Sequence, residues 1–176
     1  MNNIRLLIID DDLAFYGVFR RRHVARYAFE VAGDVERGLG LIKPDFFDAV
    51  LLDLEFTGKH TYDEGLYQLL PKAVALSQGT FPIIVATSDN RKETAQRAEK
   101  NGAAHLLRKS EYDVDKWDTE IRRTIRDFNA AKTLTQPTPA GVIEDSFLAI
   151  APNMVEIKKR LHKRAEYPEY SILLLG

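Results

Sequence analysis

Three carboxylates, one hydroxyl and one ammonium group follow or end short apolar runs in this sequence, and they belong to Asp10, Asp11, Asp53, Thr87 and Lys109. Three carboxylates gathered in one place would repel each other unless a cation joined them. Hard carboxylate oxygens with open positions suit Mg²⁺, which keeps several waters and takes only one or two protein carboxylates. The residue types therefore indicate a magnesium site.

The same side chains could also accept a phosphoryl group. A bound metal ion would neutralise charge on the phosphoryl oxygens and organise them. A carboxylate at the centre of such a site, here Asp53, can act as the nucleophile and form an acyl phosphate. The Lys109 ammonium and the Thr87 hydroxyl could hold the remaining oxygens. We therefore interpret Asp53 as a candidate phosphoryl acceptor.

Alternating apolar patterns predict the elements that would bring these residues together. Short, nearly continuous apolar runs predict five strands, at residues 4–9, 27–31, 49–52, 83–86 and 105–107. Apolar residues at helical spacing predict five helices, at residues 13–24, 34–42, 66–76, 91–101 and 117–128. This alternation implies an α/β fold with a parallel, doubly wound sheet covered by helices on both faces. Ligands bind such sheets at the carboxyl ends of the strands, where the five polar residues would lie.

A change in composition predicts the domain organisation. Residues 1–132 form the predicted first domain, and residues 133–145, which contain TLTQPTPAG, form a predicted linker. Residues 146–176 contain one further predicted helix and one strand. Because a terminal strand without a later partner is a poor end for a domain, we expect the chain to be truncated within a second domain.

Composition excludes several classes of protein. The chain has 45% hydrophobic and 29% charged residues, which are globular values, and a formal net charge of -1. It contains no cysteine, so disulfides and zinc-thiolate sites are excluded. The amino-terminal apolar run is too short for a signal peptide or a membrane span. We expect a cytoplasmic protein without membrane contact.

Four stretches of this sequence resemble the receiver domains of two-component response regulators. They are LLIIDDD (residues 6–12), AVLLDLEF (49–56), IIVATS (83–88) and NGAAHLLRKS (101–110), and the resemblance covers about residues 4–130. It implies a five-stranded, flavodoxin-like receiver domain that signals and is not an enzyme. The resemblance implies phosphorylation of Asp53 by a sensor histidine kinase or by small phosphodonors.

The same resemblance assigns roles to the surrounding residues. Asp11, Asp53 and the backbone carbonyl of Glu55 would bind Mg²⁺, and Asp10 would assist mainly through water. Thr87 would bond the phosphoryl group and act as a switch residue, while Lys109 would pair with that group. The resemblance also implies a homodimer, formed through the face of the fourth helix, fifth strand and fifth helix or through the helix that leads into the linker.

Three departures from the family pattern bear on signal output. Leu106 stands where the family usually has an aromatic switch residue. Residues 57–64 form a predicted loop about four residues longer than usual. Glu55 and Asp89 place acids at the two variable positions that tune loss of the phosphoryl group in this family.

Residues 146–176 resemble the opening of an AAA+ ATPase domain of sigma-54-dependent activators, on the helix and the strand SILLLG. Gly176 would be the first residue of the Walker loop, so this chain would not hydrolyse ATP. The resemblance implies a parent transcription activator that contacts RNA polymerase and DNA through missing domains.

Two alternative functions remain open. A receiver-like module could signal by protein contact without phosphorylation, which Leu106 favours. An enzyme of the haloacid-dehalogenase type also uses an aspartyl nucleophile on a doubly wound sheet, but it requires a second Asp at the position of Glu55. Titration with Mg²⁺ and a phosphate mimic would separate the first alternative from a phosphorylated receiver.

Overall fold

The computed structural model describes residues 3–56 and 61–135, and its strands form one parallel sheet. The strands are β1 (Ile4–Ile9), β2 (Tyr27–Ala32), β3 (Ala49–Leu52), β4 (Ile83–Thr87) and β5 (His105–Arg108). Their order across the sheet is β2-β1-β3-β4-β5, and every neighbouring pair is parallel. The order in which strands are added reverses between β1 and β3, because β2 lies on one side of β1 and β3 to β5 lie on the other. Such a reversal creates a crevice at the carboxyl ends of β1 and β3. The predicted fold class is confirmed.

The helical segments connect these strands. They are α1 (Gly17–His23), α2 (Val35–Leu41), α3 (Tyr62–Glu64), a π-helical turn (Gly65–Leu69), α4 (Leu70–Ser77), α5 (Lys92–Lys100), a 3₁₀ turn (Lys109–Glu111) and α6 (Val114–Thr135). The first helix is shorter than predicted because the Asp12 carboxylate accepts a hydrogen bond from the backbone N–H of Phe15 and forms a turn there. None of the described helices is long and apolar enough to cross a membrane.

The side chains of β1 alternate between two apolar cores. Leu7 and Ile9 lie in a core with residues of α2, α4 and α5, whereas Leu6 and Ile8 lie in a second core with residues of α1 and α6. All four residues of β3 are fully buried. Successive strand residues point to opposite faces, so a strand covered on both faces must be apolar throughout. This explains why the continuous apolar run of β3 predicted that strand at its observed bounds, whereas β2, β4 and β5 each extend one residue further than predicted.

The helical stretch after β3 begins earlier than predicted. The Thr61 hydroxyl accepts from the backbone N–H of Glu64, and the Glu64 carboxylate accepts from the backbone N–H of Thr61 at 2.7 Å. This reciprocal pair is a capping box, which starts a helix at Tyr62. The predicted loop is therefore wrong for Tyr62–Glu64, and residues 57–60 lie outside the described residues.

Helix α6 closes the second core and extends past the predicted domain end. Trp117 and Ile121 are buried against the sheet. The buried Asp118 carboxylate pairs with Arg26 and accepts a hydrogen bond from the Tyr27 hydroxyl at 2.8 Å. The helix continues to Thr135, so the first three residues of the predicted linker are helical. The rest of the linker and residues 146–176 lie outside the described residues.

Candidate functional site

The carboxyl ends of four adjacent strands bring the predicted polar residues to one edge of the sheet. Asp10 follows β1, Asp53 follows β3, Thr87 ends β4 and Lys109 follows β5. The Lys109 ammonium lies 2.7 Å from Asp53 Oδ2 and 2.6 Å from Asp10 Oδ2. One cation therefore bridges two carboxylates that come from neighbouring strands. The Phe15 ring lies 5.5 Å from Lys109 Nζ and contributes a cation–π contact that sequence reasoning did not identify.

Asp53 lies at the centre of this edge and is 5% exposed. Its Oδ1 accepts hydrogen bonds from the backbone N–H groups of Leu54 at 2.7 Å and Glu55 at 3.2 Å. Burial and the nearby Asp10 carboxylate raise the pKa of Asp53 to about 6, although Lys109 and the backbone N–H of Glu55 oppose the rise. Burial lowers the pKa of Lys109, but the two carboxylates outweigh burial and the net pKa is raised. Lys109 is therefore an ionised ammonium, and the Asp53 carboxylate beside it takes up a proton as the pH falls through about 6.

Asp10 is fully buried and is held by three donors. Its Oδ2 accepts from the Tyr16 hydroxyl at 2.7 Å as well as contacting Lys109, and its Oδ1 accepts from the backbone N–H of Asp12 at 2.8 Å. Burial and the Asp10 charge raise the pKa of Tyr16 well above its usual value, which keeps the phenol a donor. Sequence reasoning placed Tyr16 only on an apolar helix face. A tyrosine in such a core usually hydrogen-bonds a polar partner, so the sequence indicates that a partner exists but not that it is Asp10.

Replacing Tyr16 with phenylalanine is expected to destabilise the protein by about 2 kcal/mol, because a hydrogen bond to a buried charged group is lost. Phenylalanine keeps the shape of the ring, so packing should change little. Urea unfolding would measure the difference, with Tyr67→Phe as the control because Tyr67 is 54% exposed. Equal unfolding free energies for the two variants would contradict the structural role of the Tyr16 hydroxyl.

Carboxylate oxygens of Asp10, Asp11 and Asp53 all lie within 4.8 Å of one another. Three carboxylates this close together favour a bound cation, and the donor set consists of hard oxygens that suit a divalent cation such as Mg²⁺. Asp11 and Glu55 are exposed, so this edge of the cluster faces solvent. The residues present therefore fit the predicted metal ion. Asp10 is a poor candidate for a direct metal ligand, because its oxygens already accept from Tyr16, from Lys109 and from the backbone N–H of Asp12.

Thr87 is fully buried, and its hydroxyl oxygen accepts a hydrogen bond from the backbone N–H of Asp89 at 3.1 Å. The Asp89 carboxylate accepts from Arg91 and from the Thr94 hydroxyl. These hydrogen bonds lower the pKa of Asp89 to about 2, and the bond from the Arg91 side chain has the largest effect. The acid at this variable position is therefore held against the start of α5.

Leu106, the predicted switch residue, lies in the middle of β5 beside Val85 of β4. It is half-buried and packs against the apolar core on the side of α2, α4 and α5. Its aliphatic side chain offers no hydrogen-bonding group at this point of the strand. Whether Leu106 takes part in switching stays a prediction.

No protein-family model matches this chain, and no curated protein matches it. Solved structures do resemble it. A CheY-like response regulator receiver domain protein from Methanospirillum hungatei has a TM-score of 0.62 and 23% identity, covering 74% of this chain and 99% of that chain. A response regulator from Burkholderia pseudomallei has a TM-score of 0.58 and 22% identity, covering 93% of this chain and 86% of that chain. It was solved with a phosphorylated aspartic acid, a calcium ion and citrate.

The chemotaxis protein CheY4 of Vibrio cholerae is similar at a TM-score of 0.58 and 18% identity, covering 70% of this chain and 99% of that chain. These three solved structures are a receiver domain protein, a response regulator and a chemotaxis protein. At such identities the likeness establishes the fold. The chain therefore has the CheY-like, flavodoxin-like fold of receiver domains.

Proposed function

We propose that this chain is a phospho-accepting receiver of two-component signalling, and that Asp53 takes the phosphoryl group from a sensor histidine kinase. The observation that carries the proposal is the Lys109 ammonium between the carboxylates of Asp53 and Asp10, at the strand ends of a receiver fold. A similar fold from Burkholderia pseudomallei was solved with a phosphorylated aspartic acid. The module transmits a signal and does not turn over a substrate.

Asp11, Asp53 and the backbone carbonyl of Glu55 would hold the Mg²⁺, with Asp10 acting mainly through water and through its charge. When bound, the metal ion would neutralise negative charge on the phosphoryl oxygens. The exposed position of Asp11 and Glu55 supports entry of the ion and the phosphodonor from solvent. The buried position of Asp10 behind Lys109 supports its lesser role in coordination.

In the proposed reaction, an Asp53 carboxylate oxygen attacks the phosphorus of the donor. The bond between phosphorus and the donor atom breaks, and its electron pair leaves with the donor, so Asp53 becomes an acyl phosphate. Lys109 would transfer a hydrogen bond from Asp53 to a phosphoryl oxygen, and the Thr87 hydroxyl would donate to another. These two donors offset charge that would otherwise repel the buried Asp10.

We further propose that phosphorylation controls an attached AAA+ domain and transcription, on the resemblance of residues 146–176 to sigma-54-dependent activators. The parent protein would contact RNA polymerase and DNA through further domains and act in the cytoplasm. Homodimerisation would use the face of α5, β5 and α6 or the carboxyl end of α6. Thr87 and Leu106 would be the switch residues, with Leu106 on β5 of this face and Thr87 at the end of the neighbouring strand β4.

Removal of Mg²⁺ tests the proposed function. With a small acyl-phosphate donor and Mg²⁺, the intact mass should rise by one phosphoryl group, and excess chelator should reduce the rate by about a hundredfold or more, because the metal ion offsets several kcal/mol of developing charge. A folded protein that gains no mass with saturating Mg²⁺ would contradict phosphorylation. That result would favour a module that signals by contact alone.

A further inference from the structure

The loop between β4 and α5, residues 88–91, connects the Thr87 hydroxyl with the end of β5. The backbone N–H of Asp89 donates to Thr87 Oγ1 at 3.1 Å. The Ser110 hydroxyl donates to the Asn90 side-chain oxygen at 2.6 Å. Ser110 directly follows Lys109 in sequence. The loop is thus bonded both to the hydroxyl at the end of β4 and to the turn that carries the site lysine.

Arg91, the last residue of this loop, contacts Asp89, Tyr62 and Arg108. Its guanidinium contacts the Asp89 carboxylate through Nη2 at 2.6 Å and Nε at 2.8 Å, and it lies 4.9 Å from the centre of the Tyr62 ring. Its backbone oxygen accepts from the Arg108 side chain at 3.1 Å. The Thr94 hydroxyl adds a hydrogen bond of 2.9 Å to Asp89. A forked, planar cation can hold a carboxylate and an aromatic face at the same time, which a lysine ammonium cannot reproduce.

The Tyr62 ring, over which the Arg91 guanidinium lies, has a fixed position. Tyr62 is 8% exposed, and the capping box of Thr61 and Glu64 sets the start of its helix. Arg91, by contrast, has a side chain that is 58% exposed. Ion pairs with so exposed a partner add little to the free energy of folding. The arrangement therefore restricts the conformation of the Asp89 loop more than it stabilises the fold.

We propose that Arg91 is a positioning residue for Thr87, acting through Asp89. A hydroxyl group has one hydrogen to donate and two lone pairs. Because the Asp89 N–H occupies a lone pair, the Thr87 hydrogen is left for an incoming acceptor, which on the proposed function is a phosphoryl oxygen. Fixing the Asp89 backbone in advance lowers the entropy lost when that oxygen arrives. The inference rests on the proposed function and adds to it a residue outside the five polar side chains at the strand ends.

Substitution of Arg91 tests this role with beryllofluoride as the phosphoryl mimic. Arg91→Ala should weaken beryllofluoride binding about tenfold at saturating Mg²⁺, the equivalent of one well-oriented hydrogen bond. Mg²⁺ binding measured alone should change less than twofold. Arg91→Lys should restore only part of the loss, and Arg97→Ala, which removes an exposed arginine of the following helix α5, should bind like the wild type.

The single tryptophan provides a direct signal for these titrations. The Trp117 ring lies 5.7 Å from the Phe15 ring, which in turn lies 5.5 Å from Lys109 Nζ. Displacement of Lys109 by a bound ligand should therefore alter Trp117 fluorescence. Affinities for Mg²⁺ and for beryllofluoride can then be read from the same protein without a phosphorylation assay.

A double-variant cycle separates positioning of Thr87 from any general effect of Arg91. Thr87→Val removes the hydroxyl and keeps the shape of this buried side chain, and in that background Arg91→Ala should cause no further loss. Equal losses in both backgrounds, or full affinity in Arg91→Ala, would overturn the inference. A wild-type protein that binds Mg²⁺ but not beryllofluoride would instead overturn the proposed function.

Discussion

Asp53→Asn is expected to abolish the gain of a phosphoryl group under conditions that modify the wild-type protein completely. An amide oxygen carries no negative charge and is a far weaker nucleophile than a carboxylate, and the change also removes one of the charges proposed to hold Mg²⁺. We expect a fall in the rate of phosphorylation of more than about a thousandfold, which places the reaction below detection by intact-mass measurement.

The variant should remain folded, because Asn can still accept the backbone hydrogen bond from Leu54 with its side-chain oxygen. The pKa of Asp53 is raised to about 6 by burial and by Asp10, so ionisation at neutral pH costs folding free energy that Asn avoids. Asp12→Asn is the matched control, because Asp12 is an exposed acid that follows Asp10 and Asp11 in sequence and lies outside the cluster, and this variant should be modified normally. Modification of both variants to the wild-type extent would show that another residue is the acceptor.

The strands and their polar ends could be predicted because both depend on local sequence. The buried strand β3 was predicted at its observed bounds, Ala49–Leu52, since a strand covered on both faces must be apolar at every position. The parallel arrangement then places the residues after each strand at one edge. Sequence position therefore predicted Lys109 and Asp53 at the same edge, where the structure places Lys109 Nζ 2.7 Å from Asp53 Oδ2.

The contacts that surround this edge could not be predicted in the same way. Tyr16 has an apolar spacing that fits a helix face, and its bond to Asp10 depends on where the chain turns before α1. Arg91 contacts Tyr62 across two elements that are far apart in sequence, so neither residue signals the other. Such contacts are set by tertiary packing, which overrides local pattern. The sequence therefore predicted which polar groups meet at this edge, and the structure was needed to find the side chains packed around them.

The close packing of Gly65 is a second feature of this kind, and Gly65→Ala is expected to destabilise the protein by about 3 kcal/mol, lowering Tm by about 10 °C. A Cβ at this position would lie 1.9 Å from the carbonyl oxygen of Leu54 and 2.6 Å from its carbonyl carbon. Both atoms belong to the backbone, so no side chain can rotate to relieve the clash. The local π-helical turn also leaves little freedom, because the N–H of Leu70 already bonds to the carbonyl oxygen of Gly65.

The effect should reach the site, since Leu54 lies between Asp53 and Glu55, the residues proposed to hold Mg²⁺. A displaced Leu54 carbonyl would shift both neighbours, and we expect Mg²⁺ affinity to fall together with thermal stability. Gly40→Ala is the matched control, because a Cβ there meets nothing within 4 Å and alanine is the better helix former. Gly40→Ala should therefore be as stable as the wild type or slightly more so. Equal Tm values for the two alanine variants would show that the π-helical turn can move away from Leu54 at low cost and does not fix the position of Leu54.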